Sequence, residues 1–327
     1  MPDSLIEARS VSKYFRISRG AIKEAAILKA VDDASMEIKN GETVCLVGES
    51  GCGKSTLGRL LLGLLEPTHG SILYKGKDIW NMNAREFMEY RRNAQIIHQD
   101  PYDAINPVRT IYSSLSGPLL HYKLANRSNV REKVAELLEL VGLIPASDFM
   151  NRFPCRLSGG QLQRIAIARA ISVNPSFIVA DEAVSMLDAS LRINILNLLL
   201  DLKKKFNLAC LFITHDLAIA RYFAKDGRVI IMYLGNIVES GNLEEVIRKP
   251  MHPYTEVLIE ASPVPDPKVA KSRPLPNLRS VEIPSAINPP PGCKFHTRCP
   301  YAIDKCSKEV PELRDVGGGR KIACHLR

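Results

Sequence analysis

The chain predicts an α/β fold: a parallel-rich sheet, an inserted helical subdomain, N-terminal antiparallel strands and a small cysteine-rich C-terminal extension. Three observations predict it. Short apolar runs alternate with longer helical patterns up to about Gly241, the mark of a sheet flanked by helices. Helical spacing takes over between Gln99 and Leu157, and four of the eight cysteines crowd into the last 35 residues.

In chain order, the apolar run Thr43–Val47 reads as a strand and residues 54–65 as the helix after it. Residues 130–141 carry apolar side chains at Val130, Val134, Leu137, Leu138 and Val141, one face of a helix. Residues 177–180 and Ala209–Thr214 read as buried strands on either side of a helix over Ala189–Phe206. Past Pro250 prolines recur at 253, 263, 265, 267, 274, 276, 284 and 289–291, which predicts an extended, wrapping segment without long helices. The expected division is residues 1–250 for the α/β domain, with the helical subdomain at about 100–160, and 251–327 for the extension.

Composition narrows the setting. No run of about 20 apolar residues is free of charge, and Arg59 interrupts even the leucine-rich stretch 57–65, so no membrane-spanning helix is expected. The start, Met1-Pro2-Asp3-Ser4, lacks the basic start and apolar core of a secretion signal, so a cytosolic chain with any membrane contact peripheral is expected. A net charge of +9 fits nucleic acid, anionic lipid or nucleotide phosphates, and equally a solvated basic surface. In a reducing cytosol, Cys293, Cys299, Cys306 and Cys324 read first as metal ligands, not disulfides.

The most specific motif is Gly48-Glu49-Ser50-Gly51-Cys52-Gly53-Lys54-Ser55, followed by Thr56, which lies between a strand and a helix as a phosphate-binding loop requires. Its glycines let backbone N–H groups turn toward phosphate oxygens, and the helix adds its positive end. Lys54 is expected on the β- and γ-phosphates of ATP and Ser55 on Mg²⁺. A second strand, 177–180, leads into Asp181 and Glu182. Adjacent strand residues face opposite ways, so Asp181 is expected on Mg²⁺ and Glu182 as general base toward the attacking water. His215 and Gln99, each after an apolar strand, are further candidates: His215 for the γ-phosphate or water, Gln99 for Mg²⁺ or water.

Leu157-Ser158-Gly159-Gly160-Gln161, about twenty residues before Asp181-Glu182, resembles the LSGGQ signature of ABC ATPases. The resemblance implies a head-to-tail dimer in which Ser158, Gly159, Gly160 and Gln161 of one subunit close on the γ-phosphate held by Lys54 of the other. Ser185-Met186-Leu187-Asp188 resembles the family's SALD stretch, which implies Asp188 at the dimer interface; Met186 and Ala183 depart from the usual alanine and proline without removing a reacting group. Val11-Ser12-Lys13-Tyr14-Phe15 looks like the segment that stacks an aromatic ring on adenine: Phe15 by spacing, with Tyr14 the alternative.

The remainder resembles the C-terminal extension of dipeptide, oligopeptide and nickel importer ATPases, through His252-Pro253-Tyr254-Thr255, Ser262 to Pro267, Pro290-Pro291-Gly292-Cys293, Phe295-His296 and Arg298-Cys299-Pro300. Gln99-Asp100-Pro101-Tyr102 and Asn106-Pro107 match the same branch. The resemblance implies an ATP-hydrolysing importer subunit on the cytoplasmic face of the membrane. It implies as partners two transmembrane permease subunits, a second ATPase subunit in a homo- or heterodimer, and an extracellular substrate-binding protein acting through the permease. It also implies a [4Fe–4S] cluster on the four tail cysteines, their C-x5-C-x6-C-x17-C spacing being unlike that of most zinc sites, with Zn²⁺ the alternative. The rival reading, a soluble ATPase acting on nucleic acid or ribosomes, fits the charge, but this chain carries a single uninterrupted cassette.

Overall fold

The computed structural model describes residues 4–18, 26–225, 227–262, 272 and 276–327. Two compact units emerge. One comprises Met1–Leu5, Ile38–Glu42 and Tyr74–Ile213; the other comprises Ile6–Glu37, Thr43–Leu73 and Thr214–Arg327.

The first is the helical unit. Its strands β6 (Ala94–Ile97), β7 (Phe177–Asp181) and β8 (Ala209–Thr214) run parallel, with Phe177 opposite Ala94 on one side and Ala209 on the other. Every residue of β7 and β8 is buried, as expected of parallel strands covered on both faces. Helices α2 (Ala84–Asn93), α3 (Ile111–His121), α4 (Val130–Leu140), α5 (Ser147–Met150), α6 (Gly159–Ile171) and α7 (Ala189–Phe206) complete it, and α3 to α6 pack on one another. In α4 the buried stripe is Val130, Val134 and Leu138, the face expected from the sequence. Helix α6 begins at Gly159, inside the signature motif, because Ser158 caps it.

The second unit carries β1 (Ser4–Ile17), β2 (Ala26–Lys39) and β4 (His69–Tyr74), whose bulk forms an antiparallel N-terminal sheet in the order β2-β1-β4. Strand β3 (Thr43–Val47) is fully buried and pairs in parallel with β9 (Arg228–Tyr233). Helix α1 (Lys54–Leu61) follows β3 and is shorter than the expected 54–65. Strand β9 turns through Leu234-Gly235, both at positive φ, into β10 (Asn236–Asn242). Helices α8 (Leu217–Phe223), α9 (Leu243–Arg248) and α10 (Pro253–Ala261) also belong here.

Two features of the extension add to the expectation of an extended segment without long helices. First, Pro253 does not prevent a helix; it occupies the first turn of α10, where its missing N–H costs nothing, and His252 caps the helix by accepting the Tyr254 N–H on Nδ1 at 3.0 Å. Second, the end of the chain forms short strands. Residues Lys321–Ile322 (β12) pair antiparallel with β10, placing Ile322 opposite Glu239, and pair on their other side with Arg314–Asp315 (β11). Glu239, fully buried, ties the region together: it accepts from Arg320 Nε (3.2 Å), Thr255 Oγ1 (2.6 Å) and the N–H groups of Met251 and His252 (3.0 Å each). Burying one carboxylate among this many donors satisfies it. The expected proline-rich stretch from Pro263 to Pro267, with Pro274, lies outside the described residues.

Candidate functional site

The phosphate loop grows directly out of β3. Gly53 adopts a left-handed φ of 104°, and a Cβ there would run into the Ala30 carbonyl; one at Gly48 would meet the carbonyl of Met232. Only glycine fits where the chain passes this close to its neighbours. Gly53 ends the loop and starts α1, which has no side-chain cap and no acidic residue in its first turn. By contrast Asn83, Ser158, Asp188 and Asp216 cap α2, α6, α7 and α8 with their side chains. A helix start left without an internal anion suits a bound phosphate. Lys54 is buried, and its ammonium donates to the carbonyls of Gly48 (2.8 Å) and Glu49 (2.9 Å), arching over the loop. Cys52 is also buried, and burial raises its thiol pKa.

At the N-terminal sheet, Tyr14 and Phe15 have different surroundings. The Tyr14 hydroxyl donates to Asp32 Oδ1 at 2.5 Å, and the ring lies edge-on to His69. Phe15 is half-buried with Lys13 Nζ 5.5 Å from its centroid. His215 is exposed just beyond β8.

In the helical unit, Asp181 is the last residue of β7 and is buried. Glu182 is not a strand residue, contrary to the reading of two adjacent strand positions. Its φ of 46° turns the chain off the strand while its N–H donates to Ile213 O at 3.1 Å. The two carboxylates therefore separate through a left-handed turn, a conformation uncommon outside glycine and typical of functional positions. Gln99 Nε2 donates to Glu182 Oε2 at 3.4 Å, which brings together two of the residues singled out in the sequence.

The signature motif is a capping box: Ser158 Oγ accepts the Gln161 N–H (3.3 Å) and Gln161 Oε1 accepts the Ser158 N–H (3.1 Å). Ser158 and Gly159 are exposed, whereas Gly160 is buried, with a Cβ there falling 3.2 Å from Leu191. Asp188 caps α7, accepting from Leu191 N (2.9 Å) and Ser190 Oγ (2.8 Å), and these bonds hold its carboxyl below the ordinary value.

In the tail, Cys299, Cys306 and Cys324 are buried and Cys293 is half-buried. The Cys293 N–H donates to Cys306 O at 2.8 Å. Burial, and then its fellow cysteines, push the Cys293 thiol up to about 11; burial likewise raises Cys299 and Cys324. His296 and His325 instead bond the carbonyls of Cys293 and Glu309. Among the described residues, no three His, Cys, Asp or Glu side chains are drawn together tightly enough to hold a single metal ion.

Sequence reasoning missed one group. The loop's Glu49 is gripped by Tyr254 and Arg298 of the extension, residues noted only as parts of tail motifs. Nothing in the spacing of residues 249 positions apart signals that contact.

A buried strand, a glycine loop and an uncapped helix start define the class: a P-loop nucleotide-binding protein. Residues 31–185 match the ABC transporter family and 238–306 the C-terminal region of oligopeptide/dipeptide transporters. The chain is 45% identical to a probable peptide ABC transporter ATP-binding protein of Sinorhizobium fredii, covering 100% of this chain and 91% of that protein. It is 43% identical to an oligopeptide transport ATP-binding protein of Bacillus subtilis and 41% to a di/tripeptide transport ATP-binding protein of Pseudomonas aeruginosa, each over 99% of this chain and 98% of the relative. Among solved structures, the dimeric ATP-binding cassette MJ0796 bound to ADP and Pi superposes with a TM-score of 0.63 at 29% identity, over 73% of this chain and 98% of that one.

The chain belongs to the ATP-binding proteins of oligopeptide/dipeptide ABC transporters. It is an ATPase subunit. None of its described helices is long and apolar enough to cross a membrane.

Proposed function

We propose that this chain powers uptake of short peptides by hydrolysing ATP on the cytoplasmic face of a membrane, bound to two permease subunits and a second ATPase subunit, with an extracellular binding protein delivering the peptide to the permease. The observation that carries this reading is similarity along essentially the whole chain, tail included, to ATP-binding proteins named for peptide, oligopeptide and di/tripeptide transport. Nickel and oligosaccharides are the other cargoes of this branch; the names of the relatives favour peptides.

The roles follow from the chemistry of each group. Lys54 and the backbone of Gly48, Ser50, Gly51, Cys52 and Gly53, with the start of α1 at Ser55 and Thr56, bind the phosphates of ATP, while Phe15 stacks on adenine. Tyr14, already hydrogen-bonded to Asp32, is less available for that stacking. Ser55, Asp181 and Gln99 suit Mg²⁺, oxygen donors being what that ion takes. When bound, Mg²⁺ neutralises charge on the phosphates. Glu182 accepts a proton from the attacking water, held in orientation by Gln99, and His215 steadies the γ-phosphate. Ser158, Gly159, Gly160 and Gln161, at a helix start where Ser158 and Gly159 are exposed, close on the partner's ATP, with Asp188 at the same interface.

The division at residue 250 is retained as the boundary between cassette and extension. On the extension, Cys293, Cys299, Cys306 and Cys324 would hold a [4Fe–4S] cluster. Cys299, Cys306 and Cys324 are buried and the Cys293 N–H bonds the Cys306 carbonyl, which draws two of the four together, and a four-iron cluster takes its thiolates farther apart than one zinc ion does. Its chemistry would be structural, binding thiolates in a segment with little regular structure.

The test is a pull-down of tagged Glu182→Gln from its own cells in mild detergent with ATP and Mg²⁺. Two multi-span membrane proteins among the captured partners, and peptide uptake lost on deletion of the chain, are the expected results. Ribosomes or nucleic acid captured without membrane proteins would overturn the proposal.

A further inference from the structure

Glu49, the second residue of the phosphate loop, has each of its polar groups engaged. Its N–H donates to Tyr254 Oη at 2.8 Å. Its carbonyl accepts from Lys54 Nζ at 2.9 Å and from Cys52 N at 3.3 Å. Its carboxylate accepts both terminal nitrogens of Arg298, Nη1 to Oε2 at 2.9 Å and Nη2 to Oε1 at 3.1 Å. Two of these grips, on backbone and on side chain, come from the extension.

Arg298 is itself held in advance. Its side chain is only 5% exposed, and its guanidinium lies 5.8 Å from the centroids of both Tyr233 and Phe295. Tyr233, Tyr254 and Phe295 are buried and pack ring against ring, with centroids 4.6 to 5.4 Å apart. Its Nε is buried without a hydrogen-bond partner, and the Tyr233 hydroxyl is 3.5 Å from Nη1, so the Glu49 carboxylate is its principal polar partner. A planar fork fixed between aromatic faces meets a carboxylate with two parallel bonds, which a lysine cannot reproduce.

We infer that Arg298 is a positioning residue for ATP: from the cysteine-rich tail it sets the conformation of the phosphate loop and neutralises the one carboxylate the loop carries. An uncompensated carboxylate in this loop would repel the triphosphate, and a Glu49 released from Arg298 would be free to rotate out of its present place. An ion pair whose arginine is buried and whose carboxylate is half-buried is also asymmetric. Removing one partner leaves a charge without compensation, whereas removing both does not. That asymmetry separates this role from one in which Arg298 only holds the tail together.

The inference rests on ATP being the ligand of this loop, so the experiment measures that first. Affinity for a fluorescent ATP analogue is determined with Mg²⁺ on the full chain, then on Arg298→Gln and on Arg298→Gln/Glu49→Gln, with thermal midpoints alongside. The native chain binds; failure there would overturn the ATP reading itself. Arg298→Gln weakens binding about tenfold, the size of effect expected for an unpaired charge near bound phosphates, and adding Glu49→Gln restores affinity to within about threefold. Unchanged affinity in Arg298→Gln, or a double variant as weak as the single, would overturn the inference. Should Arg298→Gln not fold, Arg298→Lys replaces it: an intermediate loss relieved by Glu49→Gln supports the role, and native affinity defeats it.

Discussion

The amide of Gln99 donates to the Glu182 carboxylate at 3.4 Å, joining the end of β6 to the turn that follows β7. A carboxylate anchored by an amide stays in one orientation while it waits for a water. Replacing Glu182 by Gln keeps the hydrogen-bond partner but removes the group proposed as the base. ATP binding should persist while phosphate release slows by roughly 10²–10⁴-fold. Turnover within a few-fold of native in a phosphate-release assay would remove Glu182 from the role of base.

Gly53→Ala tests the loop. The new Cβ meets the Ala30 carbonyl in a backbone at φ 104°, so the loop must shift. A cost of about 1–3 kcal/mol in urea unfolding is expected, together with weaker ATP binding by isothermal calorimetry. Native affinity in this variant would show that the loop tolerates the shift.

Asp188 caps α7 as well as being the proposed interface residue, and two substitutions separate the roles. Asp188→Asn keeps a capping oxygen and should unfold at a urea midpoint near native, whereas Asp188→Ala should lose about 1 kcal/mol. If both lower ATP-dependent dimerisation in light scattering, the charge acts at the interface. If only alanine does, the cap is what matters.

Burial pushes His252 down to about 3 from an ordinary 6.5, and its neutral Nδ1 accepts the Tyr254 N–H. Below pH 6.5 the unfolded chain takes up this proton and the folded chain does not, so stability falls as the solution is acidified from about 6.5 toward 3. The contribution approaches about 1.4 kcal/mol per pH unit within that window. His252→Asn preserves a cap without the titration, so its melting temperature should fall less steeply between pH 6.5 and 4.5. Parallel slopes would assign the acid sensitivity elsewhere.

Chain purified without oxygen should carry iron and sulfide and absorb in the visible, and serine at all four tail cysteines should abolish both. Stoichiometric zinc with no iron would replace the cluster with a zinc site.

Much of this was legible in local sequence. Residues 189–206 and 209–214 form the helix and strand expected, because a buried face and its period are written into consecutive residues. Ser158 and Gln161 also carried a readable signal, the three-residue offset of a capping box, which the resemblance to the LSGGQ signature overshadowed. Pro253 opens a helix of 9 residues because proline is favoured in a helix's first turn, and the expectation of no long helix past residue 250 stands beside it.

By itself the sequence determined the family and the strands and helices around its motifs, since each of these rests on chemistry packed into a few neighbouring positions. Only the tertiary structure decided that Glu182 leaves its strand, that β12 joins β10, and that Arg298 reaches back to Glu49. The reason is physical. Such a contact depends on how the chain folds back in three dimensions, and a bond between residues 249 positions apart imposes no period on the residues between them.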